Sequence, residues 1–96
     1  MKFAVIDIEC TGGKWGEERI IDVAIFVLED GEVIDQFSSL VNPETGIDPY
    51  VTKLTGITNK MVRTAPKFYE LAKRIVKITE GCTFVAHNIG FDYRVF

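Results

Sequence analysis

The chain has 96 residues, 47% of them apolar, which suits one domain and no more. Eleven basic against fourteen acidic side chains leave a net charge of −3, and no basic stripe is visible, which argues against tight unspecific binding to nucleic acid. That balance does not exclude an acidic protein that meets a polyanion through bound cations, since two divalent ions turn −3 into +1.

The opening run "KFAVIDIE", residues 2–9, is apolar on both strand faces apart from Asp7 and Glu9, and predicts a central strand covered on both sides. The same two acids interrupt the run before a signal peptide or membrane span could form, so no membrane partner is expected. Cys10 and Cys82 lack CxxC spacing and suit a reduced protein, placed by expectation in the cytoplasm. "TGGKWGEE" follows as a glycine-rich loop, and "RIIDVAIFVL", residues 19–28, as a second strand. An Asp-Gly turn in "EDGE" leads to a third strand, "VIDQFSSLV", whose polar content places it at an edge. The three strands read as an antiparallel meander.

After the turn-rich "NPETGIDPY", the segments "VTKLTGI" and "NKMV" each allow a turn or two of helix, the second capped by Thr58. A longer helix is predicted from Pro66 to Thr79, with Phe68, Leu71, Ala72, Ile75 and Val76 as its apolar face and Gly81 near its end. "CTFVA" is a fourth strand, expected parallel to the first, and "HNIGFDYRVF" opens a further helix with Asn88 as its cap. The fold class expected is α/β, a mixed sheet with flanking helices. Because the chain stops within an apolar half-helix, residues 1–96 are expected to form the amino-terminal portion of one domain. Tyr93 to Phe96 would then be poorly ordered or buried against a neighbour.

Asp7 and Glu9 are two residues apart on a strand, so they share a face, about 7 Å apart along the backbone. Two carboxylates at such a place repel unless one keeps its proton or a cation joins them. Oxygen ligands of this kind suit Mg²⁺ or Mn²⁺ rather than zinc. The alternative is a pair of acids that reach solvent or accept loop N–H groups. Asp92 taken alone reads as an acid favoured by the dipole at the start of its helix, but a fourth strand beside the first would bring that helix towards Asp7 and sharpen the choice. A third acid at one point favours metal.

"FAVIDIECTGG", "LTGIT", "APKF" and "FVAHNIGFD" together resemble the DEDD superfamily of 3′-to-5′ exonucleases. The likeness is to the DEDDh branch that contains the proofreading epsilon subunit of bacterial DNA polymerase III and ribonuclease T. It runs from Phe3 to Phe96. The resemblance implies a ribonuclease-H-like fold truncated before its last strand and helices. It implies that Asp7, Glu9 and Asp92 are the catalytic acids and hold two divalent cations, Mg²⁺ or Mn²⁺, for hydrolysis of a terminal phosphodiester. It also implies a general-base His and a fourth Asp in a third motif, neither of which lies in these residues. His87 is not that base; with Asn88 it belongs to the substrate side of the second motif, in positioning or packing. Where relatives carry D-x-E-T-T-G this chain has Cys10, which would weaken any substrate hydrogen bond made there.

By the same resemblance, Thr11 and Gly12 would contact the 3′-terminal nucleotide through hydroxyl and backbone N–H. Trp15 is open to two readings, stacking on a terminal base or packing over the sheet edge. The segment Leu54 to Thr58 would line the nucleotide pocket, or be a structural turn anchored by Leu54 and Ile57. Asp22 reads as a satisfied or edge-facing residue. Lys14, Arg19, Lys60 and Arg63 are open to phosphate contact, with solvated surface the default, and Phe91 is expected to pack in the core and orient Asp92. The function expected is metal-dependent 3′-to-5′ hydrolysis at single-stranded DNA ends, of the proofreading type, with a DNA polymerase as an implied partner. The 96 residues alone are expected to be inactive, and the truncated face would offer the contact for a homodimer. Two rivals remain: an RNA-trimming exonuclease, and a non-catalytic nucleic-acid-binding or assembly module on the same fold.

Overall fold

In the computed structural model, residues 1–13 and 16–86 are described. Four strands, β1 (Lys2–Cys10), β2 (Ile20–Glu29), β3 (Glu32–Leu40) and β4 (Thr83–Ala86), form one sheet in the order β3-β2-β1-β4. The first three run antiparallel, and β4 pairs parallel with β1, from Phe3 opposite Thr83 to Ile6 opposite Ala86. The mixed sheet and the edge position of β3 follow the sequence reading. The β2–β3 hairpin turns on Asp30 and Gly31, at φ 53° and 82°, where both central residues of a tight hairpin need positive φ.

Three helices, α1 (Pro49–Thr55), α2 (Asn59–Arg63) and α3 (Phe68–Ile78), fill the connection from β3 to β4. Asp48 caps α1 by accepting the Tyr50 N–H at 2.8 Å, with Pro49 in the first turn. Thr58 caps α2 by accepting the Met61 N–H at 3.2 Å, as its place before "NKMV" predicts. At the start of α3 the Glu70 carboxylate reaches back to the Lys67 N–H at 2.9 Å. Pro66 lies just before this helix rather than in its first turn.

The main core lies between α3 and one face of the sheet. Ala4, Ile6, Ile8 and Cys10 of β1, with Val23, Ile25 and Val27 of β2, are buried against Ile75, while Leu71 and Ile78 pack at the margin. Each fully buried Ile or Val here contributes about 1.5–3 kcal/mol through burial. The predicted face of α3 needs correction. Val76 is 68% exposed, and Phe68 lies at 36%. Leu71, Ile75 and Ile78 recur at i, i+4 and i+7, whereas Val76 is rotated by about 100° from Ile75 and faces outward.

A second, smaller core gathers Ile21, Ile47, Ile57 and Val62, with Leu40 and Val51 against it. It arises from an irregularity in β1–β2 pairing between Glu9 and Cys10, where Cys10 pairs with Ile20 and Glu9 with Asp22. Ile21, the extra residue, turns away from the main core and seats α1 and α2 beside the end of the sheet. The expectation that β1 is covered on both sides is not met among the described residues. Phe3 is 38% exposed, and Val5, Asp7 and Glu9 are half-buried.

Candidate active site

Alternation along β1 sorts its residues into two sets. Even-numbered Ala4, Ile6, Ile8 and Cys10 enter the main core, so odd-numbered Asp7 and Glu9 share the opposite, half-buried face. They lie at the carboxyl end of an inner strand, where mixed α/β sheets commonly bind ligands. Cross-strand register places Ala24 opposite Asp7 and Asp22 opposite Glu9. Asp22 is thus a third acid on this face, and β2 is an inner strand, so the edge-facing reading of Asp22 is corrected. Burial is the first cause that pushes the Asp22 carboxyl above its ordinary value, and the charge of Asp7 adds to it, against a backbone hydrogen bond from Val23. The signal in the sequence was the β1–β2 register, which a bulge displaces by one residue.

The loop after Glu9 is tied down at both ends. The Thr11 N–H donates to the Arg19 carbonyl at 2.8 Å, and the Arg19 N–H donates to the Thr11 hydroxyl oxygen at 3.0 Å. That hydroxyl donates in turn to the Gly12 carbonyl at 3.2 Å. Thr11 is 2% exposed, so its hydroxyl works inside the loop rather than facing outward. The Thr11 carbonyl accepts the Asp48 N–H at 2.9 Å and thereby joins the loop to the start of α1. Gly12 has φ +72°, and a Cβ there would lie 2.7 Å from Val51 Cγ2. Only glycine lets α1 approach so closely.

Cys10 points into the main core, on the side away from the acids. The departure from D-x-E-T-T-G therefore falls in the packing, and the expected weakening of a substrate bond at that side chain does not apply. Leu54 is 67% exposed while Ile57 is buried, so Ile57 alone anchors the "LTGIT" turn. Leu54 is left outward on α1. Trp15, His87, Asn88 and Asp92 lie outside the described residues, as do Lys14, Phe91 and the expected last helix. Among the described residues no three Asp, Glu, Cys or His side chains form a group able to hold a metal ion. What the described part offers is a pair of carboxylates on one strand face, an oxygen-only donor set that fits hard divalent cations.

Over residues 4–96 the chain matches the family described as Exonuclease, of the RNase T type. It belongs to that family, within the DEDD exonuclease superfamily. Among similar proteins, the 3′-5′ exonuclease DinG of Bacillus subtilis (strain 168) is 41% identical over 93 residues, 95% of this chain and 10% of its own length. A PolC-type DNA polymerase III of Caldanaerobacter subterraneus is 36% identical over 91 residues, 95% of this chain and 6% of its own. The chain thus spans a tenth or less of these curated relatives. Exonuclease X, solved with 5′-overhanging duplex DNA, superposes with a TM-score of 0.77 at 29% identity, covering 98% of this chain and 53% of that one. Exonuclease I superposes with a TM-score of 0.84 at 22% identity, over 98% of this chain and 22% of its own, and shows the shared fold. Among the described residues no helix is long and apolar enough to cross a membrane.

Proposed function

We propose that the chain carries part of the active centre of a divalent-cation-dependent 3′-to-5′ exonuclease that shortens single-stranded 3′ ends. The observation that carries this reading is the shared face of Asp7 and Glu9 at the end of an inner strand, outside the main core. Asp22 on the next strand adds a third carboxylate to that face, and like charges gathered there suit a cation that joins them. The names of the DinG and Exonuclease X relatives agree with the activity, and the PolC-type relative agrees with a polymerase as partner.

In this reading Asp7 and Glu9, joined by Asp92, hold the cations. When bound, those cations supply Lewis-acid stabilisation of charge developing on the phosphate and lower the pKa of an attacking water. The protein's part is to fix the carboxylates on a rigid strand and to hold the adjoining loop still. The Thr11–Arg19 bonds and the Thr11–Asp48 bond do the latter. Gly12 would offer its backbone to the terminal nucleotide, and by the family resemblance His87, Asn88, Trp15 and Leu54 would serve in binding substrate.

The test is release of 5′-mononucleotides from a 3′-labelled single strand by the full natural polypeptide with Mg²⁺ or Mn²⁺. Asp7→Asn is expected to lower turnover by a hundredfold or more, about 3 kcal/mol of transition-state stabilisation. Wild-type turnover that persists in chelator, or an Asp7→Asn variant of full activity, sinks the reading. No release under any of these conditions favours a binding or assembly module. DNA and RNA strands digested in parallel decide between a DNA-directed and an RNA-trimming enzyme.

A further inference from the structure

Charge is unevenly distributed along this chain. The first 48 residues hold three basic and eleven acidic side chains, whereas residues 49–64 hold Lys53, Lys60 and Arg63 and no acid at all. That basic stretch is α1 and α2 with the turn between them. Val51, Ile57 and Val62 face the small core, and the three cations are exposed. Among the described residues none of the three is paired with a carboxylate. Between them stand exposed apolar groups: Tyr50 and Leu54, one helical turn apart on the same flank of α1 and each 67% exposed, and Met61 at 45%.

Position adds to composition. The small core rests on Ile21 and on Leu40, and Leu40 pairs across the sheet with Asp22 on the acid face. The Thr11–Asp48 bond and the tight seat of Val51 on Gly12 fix α1 to the loop that follows Glu9. A cationic, aromatic-bearing surface therefore adjoins an acidic centre in a chain of net negative charge. Acids that hold cations can engage one terminal phosphate, but they repel the rest of a polyanion. Cations interleaved with an exposed aromatic ring are what a single strand requires, phosphates on the former and a base on the latter.

We propose that the outward side of α1–α2 is the track for the strand behind its 3′ end. Lys53, Lys60 and Arg63 take phosphates, and the Tyr50 ring takes a base. This rests on the nuclease reading for direction, but its test does not need turnover. Binding of a short single strand, DNA in one arm and RNA in the other, is measured against salt in the full natural polypeptide carrying Asp7→Asn. Replacing Lys53, Lys60 and Arg63 together by Gln is expected to weaken binding at least tenfold. It should also flatten the slope of log affinity against log salt by about 2, near 0.7 for each phosphate that is no longer neutralised. Tyr50→Ala is expected to weaken binding about tenfold with the slope unchanged, and Tyr50→Phe to restore it, because stacking needs the ring and not the hydroxyl.

Circular dichroism checks that each variant is folded. A triple variant that keeps wild-type affinity and slope overturns the track, even where the wild type releases mononucleotides. A wild type that releases none but shows the slope change in the triple variant overturns the nuclease reading and leaves the track standing.

Discussion

The two faces of β1 differ in every respect that matters, although their residues alternate along nine positions. Ala4, Ile6, Ile8 and Cys10 are 0–5% exposed beneath α3, while Val5, Asp7 and Glu9 on the other side are half-buried and Phe3 is open. One face stabilises the sheet by removing apolar area from water. The other gives up burial to hold like charges beside one another. If the acids act as proposed, one strand serves packing and chemistry at once, because a period of two keeps the two tasks on separate sides.

The largest effects should separate the faces by the quantity they move. Glu9→Gln, on the acid face opposite Asp22, is expected to lower turnover by a hundredfold or more while moving the denaturation midpoint far less than a core substitution does. A midpoint that falls with activity would mean that Glu9 holds the fold together, and the contrast would fail. Ile8→Ala should do the reverse, lowering stability by about 2–5 kcal/mol in chemical denaturation, because the site is closed on all sides. Gly12→Ala tests the join between the acid face and α1. Its Cβ meets Val51 at 2.7 Å with φ at +72°, so a loss of about 1–3 kcal/mol is expected, together with weaker binding of a single strand.

The smallest effect concerns Asp22 and its pH dependence. Its folded-state pKa is raised, so the folded protein binds this proton more tightly than the unfolded chain does. The contribution is favourable at low pH and is lost as pH rises through the raised value. Asp22→Asn should therefore match the wild type below the ordinary carboxylate range and exceed it in stability near neutrality, measured in chelator. An advantage that grows towards acid pH would reverse the sign and refute the argument.

Much of this was legible in the chain. The apolar run around Asp7 and Glu9, the Asp-Gly turn and the Thr58 cap are local signals, and each determines its element through contacts within a few residues. The mixed sheet followed from the order of elements, since a strand reached through a helical crossover returns parallel. Other features depended on neighbours far away in sequence. Val76 and Ile78 are both apolar and both near the end of α3, and only the position of the sheet decides that Ile78 packs and Val76 faces out. Asp22 looked isolated because its partner across the strands depends on a bulge at Glu9–Cys10 that no residue in the loop announces.

The sequence by itself determined that two carboxylates share one strand face, at the head of a pattern that marks the DEDD exonucleases. Tertiary structure alone decided their surroundings. It turned Cys10 into the core and the Thr11 hydroxyl into the loop, set Asp22 across from Glu9, and brought the basic α1–α2 pair against the loop beside the acids. Residue type and local spacing fix what a side chain can do, whereas register, burial and helix seating arise from long-range packing and fix what it meets.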